Sequence, residues 1–260
     1  MTTRTALITG ASAGIGAAFA ELLAAEGYDL VLVARRAERL DQLGKDLEDR
    51  YGIKARSLPA DLADPAAPAA ICGQLAEWDI EIDVLINNAG LSGSTAFTET
   101  PWEKIAAELQ IQVNAATELI HRLAPAMRER GWGRVINLSS IAAFQPPAES
   151  LLYTGIKTYT LNMSQALNME LEREGVHVTA LCPGFTHSEF HDVMDTRDAA
   201  NRLPGILWGD ADQVARAGWS AVMRGKPVCV PRAVNKFIAA SMRPVPLGAQ
   251  YKISTKVKLL

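Results

Sequence analysis

The sequence predicts an α/β fold in which a parallel sheet of about seven strands carries helices on both faces. Short runs of aliphatic and β-branched residues alternate with longer amphipathic stretches along the chain. The short runs, such as "DLVLVA" at Asp29–Ala34, are apolar almost throughout, as expected of strands covered on both faces. Such a chain folds as right-handed βαβ units in a doubly wound sheet, which binds ligands beyond the C-terminal ends of its strands.

The strands are predicted in a regular order along the chain. Six of them are "TALITG", "DLVLVA", "ARSLPADL", "DVLINNAG", "RVINLS" and "VHVTALCPG", and a shorter apolar run at Val228–Pro231 is a seventh. The first helix is expected from Ile15 to Glu26, because Gly27 suits the left-handed position just past a helix end. Charged and amphipathic stretches predict further helices at 37–51 and 153–172, and another helix that ends near Trp78.

One long helix is expected over about 101–129. Thr100-Pro101 has the pattern of an N-cap and first helical residue. The helix would carry an apolar stripe of Ile105, Leu109, Val113, Ala116 and Ile120. The irregular stretch 187–212 directly follows a strand end, where either a substrate-covering lid or a plain surface insertion is expected. No linker divides the 260 residues, so a single domain over 1–260 is predicted.

Charge is distributed unevenly along the chain. The formal net charge is −3, which argues against a nucleic-acid binder. Residues 213–260 contain no Asp or Glu but carry nine basic residues: Arg216, Arg224, Lys226, Arg232, Lys236, Arg243, Lys252, Lys256 and Lys258. This basic C-terminal segment predicts either a solvated surface beside acidic neighbours or a face for an anionic partner or membrane.

The three cysteines, Cys72, Cys182 and Cys229, have no spacing suited to a metal site, and buried reduced thiols are expected. The N-terminus has no signal-peptide pattern, and no apolar run approaches the ~18–20 residues of a membrane span. The sequence therefore predicts a protein of a reducing compartment, most simply the cytoplasm, without a metal.

The stretch "TGASAGIG" places Gly10, Gly14 and Gly16 between a strand and a helix. Glycines there let the backbone approach a ligand, while the helix N-terminus offers N–H groups to a pyrophosphate. Dinucleotide binding is predicted, with Ser12 and Ile15 in the same turn. About 20 residues later, where an acid would hold the ribose of NAD, stand Arg35 and Arg36. Because a guanidinium binds phosphate in two places, NADP(H) is favoured over NAD(H), unless both arginines only cap a helix or face water.

Tyr153 and Lys157 stand four positions apart, so they share one face of a helix. A cation about 5 Å from a phenol stabilises the phenolate by roughly 3 kcal/mol, which lowers the phenol pKa by about two units. This pair is therefore a candidate general acid-base. Ser140, at the end of the fifth strand, can hydrogen-bond the oxygen of a substrate and hold it beside Tyr153.

These motifs together resemble the short-chain dehydrogenase/reductase family over nearly the whole chain. The matching stretches are "TGASAGIG", Asp61-Leu62, "NNAG", "VNA", "NLSS", "YTGIK" and "CPG", in family order and spacing. The resemblance implies a Rossmann-type domain that interconverts a carbonyl and an alcohol with NAD(P)(H). It also implies a catalytic tetrad of Asn114, Ser140, Tyr153 and Lys157, with Ser140 preferred over Ser139 and Asn114 anchoring a water chain to Lys157.

The resemblance further assigns the cofactor contacts. Asn88, Ala89 and Gly90 would lie at the adenine ribose, Asp61 and Leu62 near adenine, and Lys157 at the nicotinamide ribose. Pro183, Gly184 and a hydroxyl residue, Thr186 or Ser188, would lie at the carboxamide. The chain departs from the family pattern at Gly155, where a small residue with a Cβ is usual. The family also commonly forms dimers or tetramers through two long helices, which here would be about 101–129 and 151–173, and this predicts a homodimer or homotetramer.

The substrate is expected to be hydrophobic, because the residues placed at the pocket by topology are mostly apolar. They lie in the stretches Leu91–Ser94 and Phe144–Pro147, which include Ser92 and Gln145, and at Phe185, His187, Phe190 and Trp208. An NADPH-dependent carbonyl reductase with Tyr153 as the acid is the main prediction. An alcohol dehydrogenase acting oxidatively and a non-catalytic NADP-sensing regulator are the alternatives.

Overall fold

The computed structural model describes residues 3–90, 97–144, 151–186, 208–241 and 245–256, without the side chains of 151, 247 and 253–256. Seven parallel strands form one sheet in the order β3-β2-β1-β4-β5-β6-β7. Their bounds are β1 Thr5–Thr9, β2 Asp29–Ala34, β3 Ala55–Pro59, β4 Val84–Asn87, β5 Gly133–Leu138, β6 Val176–Leu181 and β7 Val228–Cys229. The predicted seven-stranded doubly wound sheet is confirmed.

The described helices cover both faces of this sheet. They are α1 Gly14–Ala25, α2 Ala37–Tyr51, α3 Ala67–Glu77, α4 Trp102–Leu109, α5 Ala116–Glu129, α6 Leu151–Leu171, α7 Ala211–Met223, α8 Ala233–Ser241 and α9 Leu247–Lys256. Because α7 begins at Ala211, the predicted irregular region ends earlier than residue 212. Its part from 187 to 207 lies outside the described residues.

The predicted long helix over about 101–129 is present, since the chain is helical without a break from 102 to 129. It is not one α-helix, because a π-helical segment, Gln110–Ala115, lies between α4 and α5. The helix also begins one residue later than predicted, since the cap residue of α4 is Pro101 and its first helical residue is Trp102. The predicted apolar stripe is buried only at Ile105 and Ile120, whereas Leu109, Val113 and Ala116 are partly buried, because the wider π-turn shifts the buried face of the helix. π-segments are common at functional sites, and this one carries Asn114.

Alternate residues of the central strands fill two separate cores. Ile8 of β1 and Leu30 of β2 pack on the face of α1 and α7, together with Phe19 and Trp219. Leu7 and its neighbours on the same sheet face pack on the side of α3, α5 and α6. Both cores are apolar because each strand is covered on two sides.

The chain order reverses between β1 and β4, which lie side by side although β2 and β3 come between them in sequence. A parallel α/β sheet forms its ligand crevice at such a point, beyond the strand C-termini. Thr9, Asn87 and Leu138 end β1, β4 and β5, so the glycine turn, "NNAG" and "NLSS" all lie at this edge.

Candidate active site

The turn between β1 and α1 brings the backbone so close to itself that glycine is required. Gly10 has a φ of +67°, in the left-handed region. A Cβ at Gly16 would lie 2.2 Å from the carbonyl oxygen of Gly10. Because α1 begins at Gly14, its free N–H groups and positive dipole end lie at this turn. The geometry fits a pyrophosphate.

Asn88 joins the glycine turn to the end of β4. Its Nδ2 donates to the carbonyl oxygens of Thr9, at 3.0 Å, and of Gly10, at 3.1 Å. In return, Oγ1 of Thr9 accepts from the backbone N–H groups of Asn88 and Ala89, both at 3.0 Å. Asn88 thus positions the turn, and its expected contact with a cofactor ribose stays a prediction. Thr9 was missed by the sequence reasoning, although a hydroxyl ending an apolar strand is a readable signal.

Arg36 reaches across to the glycine turn. Its Nη2 donates to Oγ of Ser12 at 3.0 Å, and both side chains are at the surface. Arg36 is also the N-cap residue of α2, where it makes no side-chain capping hydrogen bond. The choice between phosphate binding and a helix-cap or water-facing role for these arginines stays a prediction. Arg35 is also exposed, at the C-terminal end of β2.

Asp61 and Leu62 follow β3, at the same C-terminal edge of the sheet as the glycine turn. Oδ1 of Asp61 accepts a hydrogen bond from the backbone N–H of Ala63 at 3.0 Å, which closes a local turn. The side chain of Leu62 is buried in the core. Their expected place near an adenine ring stays a prediction.

Tyr153 and Lys157 lie together on α6, as predicted. Nζ of Lys157 is 5.4 Å from the centre of the Tyr153 ring. It donates a hydrogen bond to the carbonyl oxygen of Leu138 at 3.0 Å, and the lysine is only 7% exposed. The cation is therefore held at the end of β5, beside the phenol.

The two serines after β5 have different surroundings. Oγ of Ser139 donates to the carbonyl oxygen of Lys157 at 2.7 Å, so it ties α6 to the strand end. Oγ of Ser140 accepts from the backbone N–H of Ala142 at 3.1 Å and also hydrogen-bonds Tyr153. This arrangement supports the choice of Ser140, rather than Ser139, as the serine beside the tyrosine.

Burial controls the protonation of the pair. It lowers the pKa of Lys157 to about 8, against the opposing effect of the Glu108 carboxylate. It also raises the pKa of Tyr153, although the hydrogen bond with Ser140 acts in the opposite direction. The expected lowering of the phenol pKa is thus wrong for the protein by itself, because loss of hydration disfavours the phenolate more than its neighbours favour it.

Asn114 lies in the π-segment, with its side chain at the surface. Its Nδ2 donates to Oε1 of Gln110 at 2.9 Å. An open crevice of about 460 Å³ adjoins it, lined by Val113, Asn114, Thr117, Glu118, His121 and Tyr159. The side chain of Asn114 has no contact with Lys157 among the described hydrogen bonds, and its proposed water chain stays a prediction.

A buried polar network beneath the site was missed by the sequence reasoning. Nδ2 of Asn87 donates to Oδ1 of Asn137 at 2.9 Å and to the carbonyl oxygen of Ala116 at 3.2 Å. Nδ2 of Asn137 then donates to Oγ of Ser164 at 2.9 Å. The network links β4, β5, α5 and α6. Amides within the apolar runs "VLINN" and "RVINL" were the available signal.

Two buried side chains of the α4 and π-segment region were also missed. Glu108 and Gln112 are 6% and 5% exposed. Nε2 of Gln112 donates to Oε1 of Glu108 at 3.4 Å, and Oε1 of Gln112 lies 3.1 Å from the place of a Cβ at Gly90. Glu108 acts electrostatically on both Tyr153 and Lys157. Its carboxylate therefore belongs to the surroundings of the catalytic pair.

The loop after β6 brings Phe185 and Thr186 to the same edge. Oγ1 of Thr186 donates to the carbonyl oxygen of Gly184 at 3.1 Å, and the Phe185 ring lies 5.8 Å from that of Trp208. Phe144 ends the short helical turn Ile141–Phe144 after Ser140. The other predicted pocket and carboxamide residues lie outside the described residues: Ser92, Gln145, His187, Ser188 and Phe190.

Three further expectations concern the rest of the chain. All three cysteines are free, but of the predicted buried thiols only Cys182 is buried, whereas Cys72 and Cys229 are partly buried. Within the described ranges, His, Cys, Asp and Glu residues form no cluster that could hold a metal ion. The helices of those ranges include none that is both long and apolar enough to span a membrane.

A glycine turn that fits a pyrophosphate and a Tyr-Lys pair lie at one edge of a parallel sheet, an arrangement typical of nucleotide-dependent oxidoreductases. Residues 4–198 match the family model described as short chain dehydrogenase. The chain belongs to the short-chain dehydrogenase/reductase family, whose members are oxidoreductases that use NAD(P)(H). The resemblance deduced from the sequence motifs is confirmed.

Named relatives and solved structures agree with this family. Ketoacyl reductase HetN of Nostoc sp. is 34% identical over 206 residues, which cover 79% of this chain and 71% of the relative. A Sphingobium yanoikuyae short-chain dehydrogenase in complex with NADPH superposes with a TM-score of 0.81 at 34% identity, over 98% of this chain and 96% of that one. The Comamonas testosteroni bulky-bulky ketone specific alcohol dehydrogenase gives 0.79 at 30% identity, over 100% and 96%.

Proposed function

We propose that this protein is an NADPH-dependent reductase that converts a hydrophobic ketone, or another carbonyl compound, into a secondary alcohol. The observation that carries the proposal is the placement of Ser140, Tyr153 and Lys157 at the end of β5, next to a turn built for a dinucleotide. The nicotinamide, when bound, supplies a hydride to the carbonyl carbon. The residues of the chain then have to orient the carbonyl oxygen and protonate it.

Tyr153 is the proton donor in this proposal. The raised pKa of its phenol keeps the proton on the oxygen at neutral pH, which suits an acid in the reductive direction. Ser140 holds the substrate oxygen beside the phenol. As the proton leaves, the phenolate that forms is stabilised by the nearby ammonium of Lys157, whose position is fixed by Leu138.

A preference for NADPH over NADH is supported by the arginines after β2. Arg36 and Ser12 already contact each other at the edge of the glycine turn, and Arg35 adds a second cation. Both arginines are exposed, so a phosphate can reach them from the solvent. The NADPH complex of the Sphingobium relative supports the same choice.

A hydrophobic substrate is supported by the side chains at the mouth of the site. Phe185 and Trp208 stack at an angle after β6, and Phe144 follows the catalytic serine. The relatives named a ketoacyl reductase and a bulky-bulky ketone specific dehydrogenase act on substrates of this general kind, according to their names.

A homodimer or homotetramer through the outer faces of α5 and α6 is part of the proposal. Tyr159 and Met169 of α6 are 40% and 75% exposed, and the crevice at Asn114 lies between these helices. Light scattering of the purified protein, which measures its mass in solution, tests the oligomeric state.

A cytoplasmic location and an anionic partner for the basic C-terminal segment stay predictions. In that segment, exposed Phe237 and Tyr251 stand next to Lys236 and Lys252.

The experiment that tests the function is a panel of bulky ketones assayed by the loss of NADPH absorbance. Turnover of one or more ketones is expected, with NADPH preferred over NADH. Tight NADPH binding without turnover across the panel would favour a cofactor-sensing regulator instead.

A further inference from the structure

After β7 the chain passes close to the loop that follows β6. Asn235 packs against Gly184 of that loop. Arg232 bonds Trp208, and the next residue, Gly209, is hydrogen-bonded to Phe185 of the loop. Arg232 lies in the turn after β7, and Asn235 lies in the first turn of α8. Neither residue was singled out by the sequence motifs. Both are more than 45 residues away from the loop in sequence, so only the fold brings them there.

Asn235 occupies the space that a side chain at Gly184 would need. A Cβ at Gly184 would lie 2.6 Å from Oδ1 and 2.8 Å from Nδ2 of Asn235. Asn235 is only 3% exposed, so its side chain fills buried space against Gly184. A change at Asn235 therefore alters the packing between α8 and the loop after β6.

Arg232 holds the other side of the same structure. Its Nη1 donates to the carbonyl oxygen of Trp208. The backbone N–H of Gly209 donates to the carbonyl oxygen of Phe185 at 2.8 Å, and Thr186 and Gly209 form an isolated β-bridge. Arg232 itself has a φ of +66°, a conformation that a residue with a Cβ adopts only at a cost.

The loop held in this way is also joined to the catalytic serine. The backbone N–H of Ile141, the residue after Ser140, donates to the carbonyl oxygen of Pro183 at 3.0 Å. A displacement of Pro183–Thr186 is therefore transmitted to the turn that carries Ser140. A misplacement of about 1 Å far from the reacting atoms can lower a rate about 100-fold.

We infer that Asn235 and Arg232 are positioning residues that fix the loop Pro183–Thr186, and through it the nicotinamide end of the cofactor. The inference rests on the proposed function, which places the carboxamide beside this loop. The adenosine end lies at Ser12 and Arg36, on the other side of the switch point, and does not depend on these two residues.

The test compares two ligands that share the adenosine end. Adenosine 2′,5′-bisphosphate reports on that end alone, whereas NADPH also needs the nicotinamide end. Asn235→Ala is expected to weaken NADPH binding about tenfold and to lower kcat, while the affinity for the bisphosphate stays at the wild-type value. Lys236→Ala, a change at the exposed neighbour, is the matched control and should alter neither. Equal affinities for NADPH in Asn235→Ala and wild type, or equal weakening of both ligands, would overturn the inference.

Amide hydrogen exchange tests the same residues without any cofactor. Arg232→Ala is expected to speed exchange of the Gly209 amide, which donates to Phe185, whereas Arg216→Ala at an exposed position of α7 should leave it unchanged. Unchanged exchange in Arg232→Ala would contradict the role of Arg232. If wild type binds neither nucleotide, the proposed function fails, and exchange alone decides whether the loop is held. If Asn235→Ala does not fold, Arg232→Ala and its control provide the ligand comparison.

Discussion

The ammonium group of Lys157 is anchored to the end of β5 by a 3.0 Å hydrogen bond from Nζ to the carbonyl oxygen of Leu138. The catalytic cation is thus fixed by the strand backbone and does not depend on a flexible partner. Its burial has a cost, because hydration of the charge is lost. The burial that accompanies this position of the lysine therefore destabilises the folded protein.

Replacement of Lys157 by Met is predicted to stabilise the protein at neutral pH. The pKa of Lys157 is about 8 in the folded state, against 10.5 for an unperturbed lysine, so the unfolded chain binds the proton more tightly. The resulting penalty is complete below about pH 8 and is relieved as the pH rises toward 10.5. Its upper limit is about 3 kcal/mol.

The measurement is urea unfolding of both proteins between about pH 7 and pH 10. The advantage of Lys157→Met should shrink as the pH rises. Lys104→Met, at an exposed position of α4, should show no such trend. A constant difference between Lys157→Met and wild type across this range would contradict the lowered pKa.

Ser139 and Ser140 are predicted to respond differently to the same change. Ser140→Ala should lower kcat on the order of 100- to 1000-fold, because it removes the hydrogen bond to the substrate oxygen. Ser139→Ala should leave kcat near wild type and cost about 1 kcal/mol of stability, since its hydroxyl bonds the backbone carbonyl of Lys157 and ties α6 to β5. Steady-state kinetics and thermal unfolding of the two variants decide this. A larger loss of kcat in Ser139→Ala would reverse the assignment.

Arg36→Ala is predicted to weaken NADPH binding about 10- to 100-fold and to leave NADH binding unchanged. The lost interaction is a charge-assisted hydrogen bond to the 2′-phosphate. Lys45→Ala removes the same charge from an exposed position of α2 and serves as the control. Titration of protein fluorescence with each nucleotide measures both affinities. Equal weakening of NADPH and NADH would show that Arg36 does not read the phosphate.

Two glycines are predicted to differ sharply in their tolerance of alanine. Gly16→Ala should abolish dinucleotide binding, because the new Cβ would lie 2.2 Å from a backbone oxygen. At Gly155 a Cβ meets no described atom within 4 Å, so neither close packing nor an occupied space explains this glycine among the described residues. Gly155→Ala should raise stability by about 1 kcal/mol through helix propensity and keep activity. Destabilisation by Gly155→Ala in thermal unfolding would refute this expectation.

The order of strands and helices was predictable because buried parallel strands leave a simple apolar pattern. The Tyr153–Lys157 pair and the glycine turn were also predictable, since each depends on local spacing within one element. The π-segment at 110–115 was not, because the predicted stripe assumed an uninterrupted α-helical period, and Val113 of that stripe is only partly buried.

The remaining features of the site depend on contacts between distant parts of the chain. Asn87 and Asn137 are 50 residues apart and meet only because β4 and β5 are neighbours. Asn235 meets Gly184 for a similar reason. The raised pKa of Tyr153 reflects burial, which is set by the whole fold and not by the spacing to Lys157. Sequence patterns report local periodicity and carry little information on such contacts.

The most direct test of the proposed function is Tyr153→Phe, measured with NADPH and a ketone that the wild-type protein reduces. The change removes only the phenolic oxygen. The proposed mechanism predicts that kcat falls about 100- to 10,000-fold while the Kd of NADPH stays at the wild-type value. Retention of wild-type kcat by Tyr153→Phe would contradict the assignment of Tyr153 as the proton donor.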